Sequence, residues 1–224
     1  MNRTALVLMT AVLFAGFSAP GATVQKVPLP ERYQKWIDEE VVHIATSLER
    51  EVFLKLLNDK ERDLFIDAFW KHRDPTPNSP ENEFRTEHYR RISYVNKYFG
   101  RSSPMPGWKS DRGRIYIILG EPMDILHFDN KQGLYPCEIW FYQNKESFGL
   151  PTGFNLIFFQ KDGLGDFELY SPTQDGPQAL MNSYIGDPIN YAAAYEALNE
   201  IEPTLASASM SLIPGDSSAY LGRP

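Results

Sequence analysis

With 224 residues, the chain has room for one domain with a full hydrophobic core, together with short terminal segments. Hydrophobic residues make up 42% and aromatic residues 13% of the sequence, which argues against intrinsic disorder. The formal net charge of −7 argues against nucleic acid or an anionic lipid surface as the partner. Cys137 is the single cysteine, so no internal disulfide can form, and we expect a small buried apolar residue there.

The first 22 residues have the layout of a secretory signal peptide. Arg3 supplies a positive head, a mostly apolar run extends from Ala5 to Phe17, and small residues follow up to Ala22. The run is too short for the hydrocarbon core of a bilayer, which needs about 20 apolar residues. The alternative, a buried N-terminal helix, is disfavoured because no polar face occurs at helical spacing. We therefore predict a signal peptide over 1–22 and an exported, periplasmic or secreted protein with no transmembrane segment after its removal.

Residues 31–100 form the predicted helical part of the domain. Apolar residues at three- and four-residue steps indicate a first helix, namely Tyr33, Trp36, Ile37, Val41 and Ile44. Thr46 with Glu49 forms a capping-box pattern that opens a second helix. Asn58 with Glu61 repeats this pattern and opens a third. The apolar residues of these two helices that we expect to face the core are Leu48, Val52, Phe53, Leu56, Leu57, Leu64, Phe65, Ala68 and Phe69.

A fourth and longer helix is predicted from Pro80 to Phe99. Ser79 is the expected N-cap, since proline is favoured at the first helical position. Before this helix, the proline-rich residues 73–77 end the third one, because proline offers no backbone donor. The residues expected to face inward are Phe84, Ile92, Val95 and Phe99.

A short apolar run from Ile115 to Leu119 is the predicted centre of the fold. It is rich in β-branched residues and lies between Gly113 and Gly120, which favours a strand over a helix. Both alternating sets of its residues are apolar, so we expect both faces of this strand to be covered.

The second half of the chain has the two-residue period of strands. Aromatic-rich runs at 138–142, 154–160 and 167–170 are separated by turn residues, and Asp162 with Gly163 marks a hairpin connection. Helices followed by strands predict an α+β fold, in which N-terminal helices pack on a small antiparallel sheet of about four strands.

These elements define the predicted domain organisation. After the signal peptide, a single α+β domain occupies 23–204, with its strand part at 107–172 and a short alanine-rich helix at 188–199. The residues 205–224 are rich in serine, glycine and proline and are predicted to be a tail or linker.

The segment Gly-Trp-Lys-Ser-Asp at 107–111 resembles the signature of the GWxTD domain family of exported bacterial proteins, with serine in place of the family's threonine. Upstream, the segments 69–77, 82–84 and 87–92 resemble further family blocks, as does 138–142 downstream. The resemblance extends over about 36–170 and implies an exported bacterial protein. The family has no established activity, so the resemblance supplies no catalytic residues.

Three side chains on the fourth helix are the candidate catalytic residues, although the sequence contains none of the standard catalytic or metal-binding spacings. Glu83 and Glu87 are four residues apart on one helical face, where they could act as acid and base. Glu87 also stands four residues before Arg91, so a surface ion pair is the alternative for this carboxylate. His88 is on the apolar face, where a partly buried structural histidine is the alternative. We expect no cofactor and no metal.

A second group of residues near the turn at 73–74 and in the signature segment serves either the architecture or a contact with a partner or ligand. An aspartate before a proline commonly fixes a turn, and Asp74 precedes Pro75. A polar loop next to a rigid element is also a common place for binding residues. The group consists of Arg73, Asp74, Trp108, Asp111, Arg112 and Arg114.

Two hypotheses about function follow. The first is a non-enzymatic interaction or structural domain of the bacterial cell envelope or secreted fraction, which binds a protein and no nucleic acid. It predicts an exposed aromatic patch or an open sheet edge. The second is an exported hydrolase that uses carboxylates, with Asp74 and Asp111 added to the catalytic candidates. It predicts that these groups converge in one pocket with perturbed pKa values, and the absence of a catalytic pattern makes the first hypothesis the favoured one.

Overall fold

The computed structural model describes residues 28–100, 104–146 and 149–211. The predicted signal peptide at 1–22 lies outside these residues. Within them, no helix is both long and apolar enough to cross a membrane. They contain seven α-helices and a four-stranded antiparallel sheet, which confirms the predicted α+β class.

The N-terminal helices form a unit with a core of its own. Helix α1 (Glu31–Lys35) continues as a π-helical turn (Trp36–Glu40), and α2 (Ser47–Lys55) and α3 (Asp59–His72) follow. Most of the core side chains are aromatic, so a small number of residues buries a large apolar area. They are Tyr33, Trp36, Ile37, Val41, Phe53, Phe69 and Trp70.

Both predicted helix caps are present in this unit. Thr46 and Glu49 form the reciprocal capping box of α2. At the start of α3, the Asn58 side chain accepts from the Glu61 backbone N–H at 3.0 Å. The helices bury a narrow aromatic stripe, so apolar residues beside that stripe face solvent. The prediction of the inward faces is therefore wrong at several exposed residues, namely Leu48, Val52, Leu57, Leu64 and Ala68, and also at Phe84 of the following helix.

Helix α4 (Glu83–Tyr98) begins later than the predicted start at Pro80. Its N-cap is Asn82, whose side chain accepts from a backbone N–H of the first turn at 2.8 Å. Serine and asparagine are comparable N-caps, so the local sequence does not choose between Ser79 and Asn82. The Asn82 side chain also donates to the Trp70 backbone oxygen at 2.7 Å, and this contact with α3 fixes where the helix starts.

The segment predicted as the central strand is a helix. After a 3₁₀ turn (Gly107–Lys109), α5 (Asp111–Leu119) includes the whole apolar run, so the strand prediction for this run is wrong. The helix packs against both α4 and the sheet, which explains why the run is apolar on every side. A continuous apolar run fits a buried helix as well as a buried strand, and periodicity does not separate the two. Gly120, with a φ of 83°, ends the helix.

The strands form an antiparallel meander. They are β1 (Asp124–Phe128), β2 (Cys137–Gln143), β3 (Gly153–Phe159) and β4 (Glu168–Leu169), in that spatial order. The three predicted strands correspond to β2, β3 and β4, and Asp162 lies in the predicted hairpin connection between the last two. β1 carries a weak sequence signal, because it is short, mixed in polarity and mostly exposed.

Helices cover both faces of the sheet. α4 and α5 pack on the face that carries Trp140. α6 (Tyr191–Ile201) and α7 (Pro203–Ser209) pack on the opposite face, which carries Ile139. Cys137 is buried beneath this second layer, as expected for an apolar role.

Three of the predicted segments differ from the structure, and residues 212–224 of the last one lie outside the described residues. The strand part predicted at 107–172 includes α5, and the short helix predicted at 188–199 corresponds to α6, which extends to Ile201. The tail predicted at 205–224 begins inside α7, where Leu205 is fully buried in the core beneath the sheet. The small side chains that suggest a linker here allow α7 to pack closely instead.

Candidate functional site

The signature segment joins α4 to α5. Gly107 lies directly against α4, since a Cβ atom at this residue would be 1.9 Å from the Val95 backbone oxygen. The Trp108 backbone N–H donates to the Asn96 side chain at 3.0 Å, so α4 contacts the 3₁₀ turn at two consecutive residues. Glycine is required at the first of them, because a side chain would overlap the α4 backbone.

Ser110 holds the start of α5 through its hydroxyl group. The hydroxyl accepts from the Gly113 backbone N–H at 3.0 Å and donates to the Gly107 backbone oxygen at 2.8 Å. Ser110 is thus the N-cap of α5 and also closes the 3₁₀ turn. Threonine has the same hydroxyl group, so serine can take the place of the signature threonine.

Asp111 connects α5 to the edge strand β4. One of its carboxylate oxygens accepts from the Leu169 backbone N–H at 2.8 Å, and the other accepts from Arg114 at 3.2 Å. The first bond satisfies a backbone donor of a very short strand. The contacts of Asp111 and Arg114 therefore favour an architectural role for both.

Arg112 is the centre of a buried ion network. Its guanidinium donates to Glu138 at 3.0 Å and to Asp166 at 3.4 Å, and all three side chains are at most 12% exposed. Trp140 Nε1 donates to the other carboxylate oxygen of Glu138 at 2.8 Å. The guanidinium also lies 4.0 Å from the ring centroid of Phe167. Arg112 therefore joins α5 to β2 and to the loop before β4.

Arg73 and Asp74 fix the end of α3. Arg73 donates to the Ile44 backbone oxygen at 3.2 Å and to the Glu49 carboxylate at 2.8 Å, which ties α3 to the segment around the start of α2. Asp74 accepts from the Thr76 backbone N–H at 2.9 Å, which is the turn expected for an aspartate before proline.

A cavity of about 350 Å³ lies where the core of the N-terminal helices meets α5. Three of the candidate residues line it, namely Arg73, Glu87 and His88. Of the other lining residues, two share α4 with Glu87 and His88, and the rest come from distant segments that no local sequence pattern indicates. These other lining residues are His43, Ile44, Phe84, Arg91, Ile117 and Ile118.

Two imidazoles form part of the cavity wall, the buried ring of His88 and the half-buried ring of His43. His88 is 3% exposed, and its Nε2 donates to the Glu40 backbone oxygen at 2.7 Å. Burial lowers the pKa of His88 to about 4. His43 Nε2 donates to the Trp108 backbone oxygen at 2.8 Å, and burial lowers the pKa of His43 as well. Both rings are therefore neutral at neutral pH, and His43 links the helical unit to the signature segment.

Glu87 is held in its ionised form. It accepts from Arg90 at 2.6 Å and from Arg91 at 2.8 Å. The bond from Arg90, followed by that from Arg91, lowers the pKa of Glu87 to about 2 against the opposing effect of burial. A general acid or base needs a pKa near the working pH, so Glu87 is poorly suited to that role.

The remaining candidate carboxylates are dispersed. Glu83 is not part of the cavity wall, and it accepts from the Ser79 hydroxyl at 3.0 Å. Asp74 and Asp111 hold the turn after α3 and the strand β4. The described ranges contain no group of three or more histidine, cysteine or carboxylate side chains that could hold a metal ion. The structure thus brings Glu87 and His88 together without the other proposed acid–base residues.

The buried state of His88 predicts a pH-dependent stability. Its pKa is about 4 in the folded protein against an ordinary value of 6.5, so between these values the unfolded chain binds a proton that the folded chain does not. The contribution of His88 is therefore full above pH 6.5 and is lost as the pH falls towards 4, with a total of roughly 3 kcal/mol. His43 acts in the same direction. Urea unfolding at a series of pH values measures this loss.

Substitutions distinguish the contribution of His88 to the pH dependence of stability from that of the other histidines. The His88→Asn variant should lose less stability across this pH range, whereas the exposed His72→Gln variant should keep the full dependence. Equal pH dependence in the two variants would contradict a neutral, buried His88.

The fold defines the class of protein as an α+β domain. In this domain the signature segment forms a 3₁₀ turn that requires glycine, and the buried helix α5 that follows connects α4 to the antiparallel sheet. In a comparison with known families, residues 21–169, about two thirds of the chain, match the GWxTD domain. The chain belongs to the GWxTD domain family. Neither a curated protein nor a solved structure matches it.

Proposed function

We propose that this protein is an exported interaction domain of the bacterial cell envelope or secreted fraction, without enzymatic activity, and that it binds a protein partner along the free edge of β1. The observation that carries the proposal is the open edge of the sheet. In this proposal the partner contributes an extended segment, which adds to β1 as a further strand.

β1 is the outermost strand on one side of the sheet. It pairs with β2 over five residues, and no other strand of the described residues lies beside its outer edge. Alternate backbone N–H and C=O groups of an edge strand point away from the neighbouring strand, where they can pair with another chain. Three residues of β1 are exposed and two are half-buried. The Asp124 carboxylate accepts from the Ile125 backbone N–H at 2.9 Å, so an added strand has to displace this bond to pair with that donor.

Apolar side chains flank this edge. Met123 is 70% exposed and Leu126 is 42% exposed. Leu126 pairs with Ile139 and so lies on the face of the sheet that α6 and α7 cover. A strand that adds to β1 could bury both side chains, so a partner segment with apolar residues fits this edge best.

The opposite edge of the sheet is protected. β4 has only two residues, and its Leu169 N–H is bonded to Asp111 of α5. Natural sheets commonly protect their edges with short strands and covering helices. The contrast between the two edges favours β1 as the contact surface.

The hydrolase hypothesis has less support from the arrangement of the carboxylates. Glu87 is held ionised by Arg90 and Arg91, and Glu83 is absent from the cavity wall. The export part of the proposal is supported by the signal-peptide pattern of residues 1–22.

The test uses a photo-crosslinking amino acid at position 126. It should capture a partner from the native envelope or secreted fraction, and mass spectrometry should place the crosslink in an extended segment of that partner. A synthetic peptide of this segment should then bind the wild-type protein. The double variant Met123→Lys, Leu126→Lys should bind the peptide at least about tenfold more weakly, because it loses both apolar contacts.

Leu164→Lys is the matched control, because Leu164 is 78% exposed and lies in the connection between β3 and β4, neither of which pairs with β1. It should bind the peptide as the wild type does. Unchanged binding in a folded double variant would contradict the contact at β1. A crosslink between two copies of this chain would show that the β1 edge binds a second copy and not a different protein. The absence of any crosslink would contradict the interaction function.

A further inference from the structure

We propose that the cavity lined by Arg73, Glu87 and His88 is a binding site for a small apolar carboxylate. The cavity shares no residue with β1, so this proposal is independent of the proposed function. Three features of the cavity favour this class of ligand: an apolar wall, an excess of positive charge and a rigidly held guanidinium.

The wall of the cavity is largely apolar. Ile44 follows the π-helical turn, Phe84 belongs to α4, and Ile117 and Ile118 belong to α5. The Phe84 ring lies parallel to the His88 ring, with centroids 6.4 Å apart, and both rings line the cavity. The volume of about 350 Å³ is at the lower end of the range for small-ligand sites. An aryl or branched alkyl body therefore suits it.

The charged groups of the wall leave one positive charge in excess. Arg73 and Arg91 are cationic and Glu87 is anionic. The charged groups bonded to them from outside the wall are Glu49 and Arg90, which cancel each other. A ligand with a single negative charge would balance the site. A dianion such as phosphate would leave an uncompensated charge in a partly desolvated space, which is costly.

Arg91 is the proposed anchor for the carboxylate. Its Nε donates to Glu87 at 2.8 Å, and its Nη1 donates to the backbone oxygens of Ile117 and Ile118 at 3.1 and 3.3 Å. These bonds hold the guanidinium in place at the end of α5. Among the described residues, Nη2 has no hydrogen bond like those of Nε and Nη1. It lies beside Gly120, where a Cβ atom would be 2.8 Å from it. A preorganised guanidinium with an available N–H loses little entropy when it binds a carboxylate.

The two imidazoles report whether the site is occupied. His43 and His88 both line the cavity, and both are neutral when it is empty of anions because burial lowers their pKa values. A carboxylate beside them would favour their protonated forms. The NMR signals of their ring protons should therefore shift when the ligand binds.

An apolar carboxylate could be a free small molecule or the carboxyl terminus of a protein that ends in an apolar residue. The probe for the first is 3-phenylpropionate, and the probe for the second is N-acetyl-phenylalanine. The matched controls are the neutral amides of the two probes. Calorimetry on the whole protein measures each affinity, and NMR follows the ring protons of the two histidines.

At least one of the two carboxylates should bind saturably and shift the His88 signals. It should bind at least about tenfold more tightly than its own amide, because the amide lacks the charge that the guanidinium attracts. Tighter binding of N-acetyl-phenylalanine would indicate a chain terminus as the source, and tighter binding of 3-phenylpropionate would indicate a free small molecule.

Cavity-filling variants locate the site. Ile118→Trp and Ile44→Trp each enlarge a half-buried wall residue, and either one should weaken binding at least about tenfold. Leu164→Trp, at an exposed leucine outside the cavity, should bind as the wild type does. Equal affinity for a carboxylate and its amide, no saturable binding of any probe, or unaltered binding in both folded filling variants would overturn the proposal.

Discussion

Replacing Gly107 by alanine is expected to prevent folding or to lower the free energy of unfolding by more than about 3 kcal/mol. The new methyl group would lie 1.9 Å from the Val95 backbone oxygen and 2.5 Å from the Val95 carbonyl carbon. Both atoms belong to the backbone of α4, which cannot rotate away as a flexible side chain can. The 3₁₀ turn would therefore have to separate from α4. Urea unfolding followed by circular dichroism measures the difference.

Gly153→Ala is the matched control for this substitution. A Cβ atom at Gly153 would meet its nearest neighbour, the Phe141 ring, at 3.4 Å, which is an ordinary contact. The control should change stability by no more than about 1 kcal/mol, since alanine is easily accommodated in a strand. If the two variants were equally stable, the close approach of Gly107 to α4 would be wrong.

Arg112→Met is expected to cost about 3–5 kcal/mol, because it leaves the carboxylates of Glu138 and Asp166 without their cation. Both carboxylate side chains are at most 10% exposed, so water cannot replace the guanidinium well. Urea unfolding at pH 7 measures the loss of stability.

Two further variants test whether the loss of stability comes from the buried ion network or from the removal of any charge. Lys55→Met removes one member of the pair between Lys55 and Glu51, whose side chains are 71% and 61% exposed, and it should cost less than about 1 kcal/mol. Adding Glu138→Gln to Arg112→Met should recover part of the loss, because one unpaired charge disappears. A cost for Arg112→Met as small as that for Lys55→Met would contradict the buried network.

The second helical layer lies beyond the family match. The match ends at Leu169, the last residue of β4, whereas α6 and α7 follow it in the chain. These two helices cover the sheet face that carries Ile139. A sheet must bury its apolar face against another layer, so in this protein the residues after the match complete the fold.

The sequence predicted those features that depend on neighbouring residues. The caps at Thr46 and Asn58 each involve a group three residues away, and the turn at Asp74 involves a group two residues away. The strands β2 and β3 also follow from local alternation and aromatic content. Together with the order of helices and strands, these local signals were sufficient for the α+β class.

Only the tertiary structure decided how the apolar run of α5 folds. Its local composition favoured a strand, although the N-cap bond between Ser110 and Gly113 is a local signal that the strand prediction missed. The packing of the run on α4 and the sheet selected a helix. The N-cap at Asn82 was chosen in the same way, by a contact with Trp70 of another helix. In each case, two local conformations were close in free energy and a long-range contact selected one.

In the candidate site, too, the sequence predicts local relations between residues and the tertiary structure decides the distant ones. The sequence indicated that Glu87 and His88 are adjacent and that Arg91 can pair with Glu87, because these residues share one helix. It did not indicate His43 or Ile117, which reach the cavity from segments far along the chain. The sequence by itself thus determined the caps of α2 and α3 and the order of helices and strands. The tertiary structure determined which apolar side chains of each helix are buried, the cavity, the open edge of β1 and the ionised state of Glu87. The reason is physical: burial and long-range pairing depend on which faces meet, and a local pattern does not encode which faces meet.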